Sequence, residues 1–288
     1  MRISRSGLLN RRRSAAPTEA TPTAAAPEPA RILDEYIREL PSPQVAVDVF
    51  KGEWSSALPA SLAVEAGPVE LFDDKRITWL LEQTGDLSGR RVLELGPLEA
   101  GHSYQLAAAG ATVTAVEANT RAYLKCLIAK ELLGLTGCTF LLGDFVKYLE
   151  ANQGAHYDLL LASGVLYHST DPLGLLELMA GAADQIAIWT HYYDAGPVQS
   201  TPSIAQHFEK PSRTVTFQDR EITLHPRYYL EALQWGGFCG GPESHAQWME
   251  QDDLLAVLEL LGYSEIRIGG DDPGHVNGPS ILLYASRA

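Results

Sequence analysis

Arg91-Val92-Leu93-Glu94-Leu95-Gly96-Pro97-Leu98-Glu99-Ala100-Gly101 is the stretch on which the fold turns. Its first five residues are a short apolar strand, followed by a tight glycine turn and then a helix. Gly96 ends the strand, and its missing side chain lets a ligand rest against bare backbone. Gly101 opens the helix, whose first amides point free N–H groups into the same crevice. Glu117 follows Gly96 by twenty-one residues, at the end of the next apolar run. At that spacing a second strand tip can hold ribose hydroxyls. The stretch therefore predicts a nucleoside-containing ligand.

Working outward, strands and helices alternate. Strand 91–95 precedes helix 102–109, stopped by Gly110, and strand 112–117 precedes helix 120–133, stopped by Gly134. That helix carries Leu124, Leu127, Ile128 and Leu132 at helical spacing. Strand 138–142 leads through Gly143-Asp144-Phe145 into a short helix ending at Glu150. Strand 157–162 leads through Ser163-Gly164 to helix 173–183 after Pro172, and strand 185–190 closes the series. Strands separated by helices at this pace predict a parallel sheet with right-handed crossovers. Residues 191–250 break the rhythm with Gly, Pro and aromatics and hold one hairpin, 214–218 with 221–225. Helix 251–261 and strands 264–268 and 279–285 resume it, the last two as an antiparallel pair.

Upstream, Asp73-Asp74 caps a helix over 75–84 with Ile77, Leu80 and Leu81 inward. Residues 30–71 form an extension. It begins with a helix over 30–40 bearing Ile32, Tyr36, Ile37 and Leu40, ended by Pro41. An irregular segment follows, carrying Phe50, Trp54 and Leu58 over the main domain. Residues 1–29 lack apolar periodicity and are expected to be a disordered tail. Gly7-Leu8-Leu9 is too short for a secretory signal, while the Arg/Ser-rich opening faintly resembles an organelle transit peptide.

The 288 residues are 45% hydrophobic and carry a net charge of −14. Residues 1–31 hold six arginines and two glutamates, a net +4, so the remaining body carries −18. A body this acidic repels a phosphate backbone, which disfavours nucleic acid. No run approaches a membrane span. Three cysteines without metal-ligand spacing suit a reducing, cytoplasmic compartment. No metal site is expected, and the oligomeric state is left open.

Which nucleoside ligand fits follows from two failures. A dinucleotide fold needs a middle glycine where Leu98 stands, and Glu99 adds negative charge beside a would-be phosphate. A Walker loop needs a lysine that Gly101-His102-Ser103 lacks. A cationic ligand with a ribose and no phosphate fits better.

Over roughly residues 72–288 the chain resembles the class I S-adenosylmethionine-dependent methyltransferases. Glu94-Leu95-Gly96-Pro97-Leu98-Glu99-Ala100-Gly101 resembles their first motif, and Glu117 their ribose-binding acid. Gly143-Asp144-Phe145 resembles the third-strand motif whose Asp touches the adenine amino group. Ala162 to His168, with Asp171-Pro172-Leu173, resembles the fourth-strand motif. The Gly164-Val165-Leu166-Tyr167-His168 form is similar to a subgroup that includes the tRNA wobble-uridine carboxymethyltransferase.

The resemblance implies an α/β, Rossmann-like, doubly wound seven-stranded sheet with the last strand antiparallel. The cofactor core would be 72–190 and 251–288, with 191–250 as a substrate-covering insert. S-adenosyl-L-methionine would meet Glu94, Gly96, Pro97, Leu98, Gly101, His102, Glu117, Ala118, Gly143, Asp144, Phe145, Ser163, Gly164, Val165 and Tyr167. Asp144 could instead be a plain helix cap. His168 follows the fourth strand, where the methyl should lie, and is a candidate general base; it could equally hydrogen-bond to backbone. His191 paired with Asp194 is a second candidate. Aromatics of the insert, including Trp248 with His207, His225 and His245, could stack on a substrate or build a satellite core. Arg213, Arg220 and Arg227 could grip an anion or be solvated surface charges. The expected partner is a small-molecule methyl acceptor, plausibly a sugar or secondary metabolite methylated on oxygen. The rivals are a tRNA-modifying enzyme, which needs a basic groove, and a cofactor-binding scaffold without catalysis, which needs no open acceptor pocket.

Overall fold

Strand β1 (Arg91–Leu95) is buried along all but its first residue, as a strand covered on both faces must be. The computed structural model describes residues 36–235 and 237–287. In chain order the further strands are β2 (Thr112–Glu117), β3 (Cys138–Leu142), β4 (Leu159–Ser163), β5 (Gln185–His191), β6 (Arg213–Phe217), β7 (Arg220–Tyr228), β8 (His245–Met249), β9 (Glu265–Asp272) and β10 (Ser280–Ser286). The helices are α1 (Pro43–Val47), α2 (Lys75–Thr84), α3 (Gly101–Ala108), α4 (Thr120–Leu133), α5 (Phe145–Ala151), α6 (Pro172–Ala182), α7 (Ala195–Ser200), α8 (Pro202–Ala205) and α9 (Gln251–Leu260).

Seven strands make one sheet in the order β3-β2-β1-β4-β5-β10-β9. The first five are parallel, and β10 runs antiparallel between β5 and β9. Chain order therefore reverses between β1 and β4, and a crevice opens beyond the carboxyl ends of those strands. The expected seven-stranded architecture with its antiparallel terminal pair is the one observed. The insert adds a separate antiparallel sheet, β6-β7-β8. The hairpin was expected; β8 was not, and although His245-Ala246-Gln247-Trp248 alternates polar and apolar residues, the strand is buried from its second residue on, Gln247 included.

Two expectations fail. Residues 36–40 are not helical, and Tyr36 and Leu40 are 91% and 88% exposed. Leu40 precedes Pro41, which disfavours the helical backbone. The helix starts later, at Pro43, with Ser42 Oγ accepting from the Val45 amide. The remainder of that expected helix and the expected tail over 1–29 lie outside the described residues. On α4, Leu124 and Leu127 face solvent, while Ala122, Cys126 and Ala129 face the core. Those small side chains, four and three residues apart, let the helix lie close to the sheet.

The reason α4 turns that face inward is Lys125, only 7% exposed. Its ammonium donates to Glu99 Oε1 at 2.7 Å and to the Glu53 carbonyl at 2.5 Å. The Glu99 carboxylate, fully buried, also accepts the amides of Ser55 (3.0 Å) and Ser56 (2.7 Å). Phe50, Trp54 and Leu58 of the extension are buried, the first two with their rings 5.8 and 5.6 Å from the Lys125 ammonium. One carboxylate thus ties the extension, the glycine turn and α4 together. Removing one partner of a buried pair leaves an uncompensated charge. Glu99→Gln is therefore expected to lower unfolding free energy by about 3 kcal/mol, read as a lower urea midpoint. An unchanged midpoint would contradict the tie.

Candidate active site

The turn after β1 is built from left-handed residues. Gly96 has φ 65°, Leu98 φ 53° and Ala100 φ 70°. The two non-glycine residues there are strained, and hydrogen bonds hold them. Ala100 N–H donates to Pro97 O at 3.0 Å. The Leu98 amide donates to Glu117 Oε2 at 3.1 Å, and the Asn119 amide to Glu117 Oε1 at 2.8 Å. A Cβ on Gly96 would stand 3.1 Å from Val165 Cγ2, and one on Gly101 would stand 2.5 Å from the Leu71 carbonyl oxygen. Gly101 is thus a packing glycine, letting residues 71–73 lie against the start of α3.

A cavity of about 860 Å³ opens beyond this turn. Its wall includes Gly96, Pro97, Leu98, Gly101 and His102 from the turn and α3, and Glu117 and Ala118 from the end of β2. Gly143, Asp144 and Phe145 follow from the end of β3, then Ser163, Gly164, Val165, Tyr167 and His168 from the end of β4. Asp144 is also the cap of α5, its Oδ1 accepting from Val146 and Lys147. Glu117 is mostly buried, and burial raises its carboxyl pKa against the amides that lower it. Ser163 Oγ is buried without a hydrogen-bond partner.

Glu94 does not line the cavity. Its carboxylate turns beneath α3, where Ser103 Oγ donates to it and His102 Nδ1 lies 3.8 Å away. Burial raises its pKa. The other ring nitrogen of His102 meets Asp74 Oδ2 at 2.9 Å, beside Arg76 at 2.5 Å. Burial would raise the Asp74 carboxyl, but the hydrogen bonds from His102 and Arg76 hold it well below its usual value. Glu99 points away from the cavity into the extension, so it adds no charge to the ligand side.

The expected His191–Asp194 pair is not formed. His191 Nδ1 donates to the carbonyls of Gly278 (2.8 Å) and Pro279 (3.1 Å). Its ring stacks on Trp248 with centroids 5.1 Å apart. Asp194 is consumed as the cap of α7, accepting the Gly196 amide at 2.9 Å. Neither residue lines the cavity, because the chain turns away after β5 to enter the insert.

His168 sits in a one-turn helix, Leu166–His168, and its Nδ1 lies 2.7 Å from Tyr229 Oη. Burial, with help from the Arg227 and His191 charges, pushes its pKa down to about 3. Burial pushes the Tyr167 hydroxyl up to about 12. Tyr229 is buried at the end of β7; its role was invisible in the sequence, since nothing local distinguishes it from its neighbour Tyr228. The insert aromatics resolve toward a satellite core. Trp248 is buried and donates through Nε1 to the Tyr167 carbonyl at 3.0 Å. His225 stacks on Tyr193 and His245 on Tyr228, and His207 meets the Tyr228 carbonyl.

The cavity also takes in Arg76, Trp189 and the loop Phe238–Glu243. Trp189 had a usable signal, an aromatic near the carboxyl end of a parallel strand. Its ring lies 4.6 Å below the Arg76 guanidinium and 5.8 Å from Tyr167. Tyr167, His168, Trp189 and Phe238 make an aromatic side to the cavity. Its charged lining is Glu117, Asp144 and Glu243 against one arginine, Arg76, already paired with Asp74. Among the described residues there is no metal-binding cluster and no helix long and apolar enough to cross a membrane.

No family model matches the chain. It is 32% identical over 149 residues to the ubiquinone biosynthesis O-methyltransferase of Bordetella pertussis, a match covering 49% of this chain and 59% of that protein. The chain thus spans about three fifths of the length of the curated relatives it matches. Among solved structures it is similar to the N-terminal domain of EvdMO1 with SAH bound. That likeness has a TM-score of 0.63 at 19% identity and covers 85% of this chain and 95% of that one. It is also similar to magnesium protoporphyrin IX methyltransferase (ChlM) from Synechocystis PCC 6803 with bound SAH. There the TM-score is 0.52 at 19% identity, covering 75% of this chain and 81% of that one. The chain shares the fold of these proteins.

Proposed function

We propose that the chain is an S-adenosylmethionine-dependent methyltransferase acting on a small-molecule acceptor, by O-methylation of a sugar or another secondary metabolite. The observation that carries the reading is the Glu117 carboxylate, held by two backbone amides at the cavity wall. Burial raises its pKa despite these amides, and each oxygen keeps a lone pair that a pair of ribose hydroxyls would engage. Ser163 Oγ, buried and unpartnered at the same wall, is a second group awaiting a ligand. Asp144 keeps Oδ2 free of its capping bonds, which suits an adenine amino group. The relative and the methyltransferases of like fold support the same reading.

The cofactor supplies a methyl carbon on a sulfonium, open to in-line displacement. The protein's part is to bind, align and exclude water. Gly96 at the cavity wall leaves the turn's backbone open to the ligand. The acidic lining suits a sulfonium and not a phosphate. The aromatic side of Tyr167, Trp189 and Phe238 gives an acceptor an apolar bed, and alignment there is worth several kcal/mol. His168 is neutral at physiological pH. Its Nδ1 is engaged with the Tyr229 hydroxyl; in the tautomer that carries the hydrogen on Nδ1, Nε2 holds the lone pair that receives an acceptor proton.

A tRNA acceptor, suggested by the Gly164–His168 segment, needs a basic groove, and the lining of the cavity is acidic. A non-catalytic scaffold would not need the open acceptor side beside His168. A reducing, cytoplasmic setting suits the three unpaired cysteines.

Calorimetry is expected to show S-adenosylhomocysteine binding to the wild type and roughly 10- to 100-fold weaker binding to Glu117→Ala, as loss of charge-assisted bonds implies. No affinity in the wild type would end the reading. Once an acceptor is found, the kcat/KM profile is expected to carry no inflection near the ordinary histidine value of 6.5, because His168 is already neutral there. A limb at that pH would contradict the lowered His168 pKa.

A further inference from the structure

Gly240 is a glycine that its own backbone does not require. Its φ lies outside the left-handed region, whereas its neighbour Gly241 has φ 89° and takes the turn. Gly240 is also buried, although Cys239 and Gly241 on either side of it are exposed. The chain thus dips inward for one residue. A Cβ at that point would stand 2.7 Å from Nδ1 and 2.9 Å from Cε1 of His168, and 2.5 Å from Cζ of Phe238. A Cβ on Gly241 would meet nothing within 4 Å. Close approach to the His168 ring, and not turn geometry, is therefore what excludes a side chain at 240.

The dip belongs to a loop with a closed stem. The Tyr229 amide donates to the Ser244 carbonyl at 3.1 Å, and the chain between them reaches the cavity wall at Phe238–Glu243. Among the described residues no hydrogen bond fastens 238–243 to the sheet, so side-chain packing and the contact at Gly240 seat it. Tyr229, at the stem, meets His168 Nδ1 through Oη at 2.7 Å. Phe238 stands edge-on to both rings, 4.8 Å from Tyr229 and 6.5 Å from His168. Tyr167 packs against the imidazole at 4.1 Å. The outer torsion of a histidine side chain is broad and two-fold, so one hydrogen bond alone leaves the ring free to swing. A backbone wall against its Nδ1–Cε1 edge removes that freedom.

We propose that Gly240 is a positioning residue for His168: it lets the loop close on the Nδ1–Cε1 edge, holds the ring to Tyr229 and leaves Nε2 as the nitrogen presented to the acceptor. The proposal rests on the reading of His168 as the base of a methyltransferase and adds the part of the chain that aims it. A side chain at 240 has to displace either the loop or the ring, because Cβ atoms do not come that close to their neighbours. Either displacement admits water to the imidazole, and burial is the first cause of its lowered pKa.

The test is nuclear magnetic resonance on the full chain, isotope-labelled in histidine and glycine, with the His168 signals identified by their loss in His168→Gln. The wild type is expected to show a nuclear Overhauser effect between the Gly240 α-protons and His168 Hε1. Its His168 ring is expected not to titrate between about pH 5 and 8. In Gly240→Ala the His168 midpoint is expected to rise toward the ordinary value of 6.5. Arg227 and His191, whose charges also act on that ring, are untouched by the substitution. His225 and His245, on β7 and β8, are expected to keep their own midpoints. The proposal is overturned by a wild type without the Overhauser effect or by a Gly240→Ala protein whose His168 midpoint stays in place. A shift shared by His225 and His245 overturns it too, since that is general loosening of the insert. Should Gly240→Ala not fold, the wild-type Overhauser effect and titration decide alone. Calorimetry with S-adenosylhomocysteine on the wild type separates the two levels: no binding overturns the methyltransferase reading and with it the purpose given to the contact, whereas a missing Overhauser effect overturns only the aiming of His168.

Discussion

The structure depends on a left-handed turn that two buried carboxylates hold in place. Leu98 and Ala100 both sit at positive φ, at a cost of about 1–3 kcal/mol each. Such strain persists only where the surroundings over-determine it. Glu117 fixes the turn from β2 by accepting the Leu98 amide. Glu99, inside the turn, reaches the other way to Ser55, Ser56 and Lys125. A hydrogen bond to a charged group contributes roughly 1.5–3 kcal/mol, so this set is of the size needed to offset the strain. The same set fixes where the wall of the cavity lies.

The turn also explains why the extension belongs to the site. Residues 55 and 56 are irregular in structure and distant in sequence, yet they complete the shell of Glu99. Leu71 lies so close to Gly101 that no side chain fits there, and Leu71 itself faces the cavity. On the opposite side the insert is fastened to the end of β4. Gln247 N–H donates to Ser169 O and Trp248 Nε1 to Tyr167 O. The cavity is thus a seam between a rigid sheet and two irregular covers. Most of its wall is built from strand ends, and the insert contributes the loop Phe238–Glu243.

How much could be read from the sequence follows that division. β1, β2 and β3 carry apolar runs closed by glycine or a capping acid, so their ends and the residues there were legible. Local chemistry named Glu117 and Asp144 because a strand end is a local property. What failed depended on distant partners. Glu94 and Glu99 have the same charge and nearly the same neighbours, yet one turns under α3 and the other into the extension. Ser55 and Ser56 lie 44 and 43 residues from Glu99, a separation that no periodicity reports. Tyr229 meets His168 across 61 residues, and Asp194 was lost to His191 because it caps α7. On α4 the leucines were conspicuous, but Lys125, drawn inward by Glu99, decided which face is buried.

A crystal structure with S-adenosylhomocysteine bound tests the central claim most directly. The account predicts both ribose hydroxyls on the Glu117 carboxylate, with the Leu98 amide bond intact and the sulfur turned toward the Tyr167–His168 wall. A ligand whose ribose lies away from Glu117, or a turn that abandons the left-handed backbone at Leu98 and Ala100 to admit it, would contradict the account.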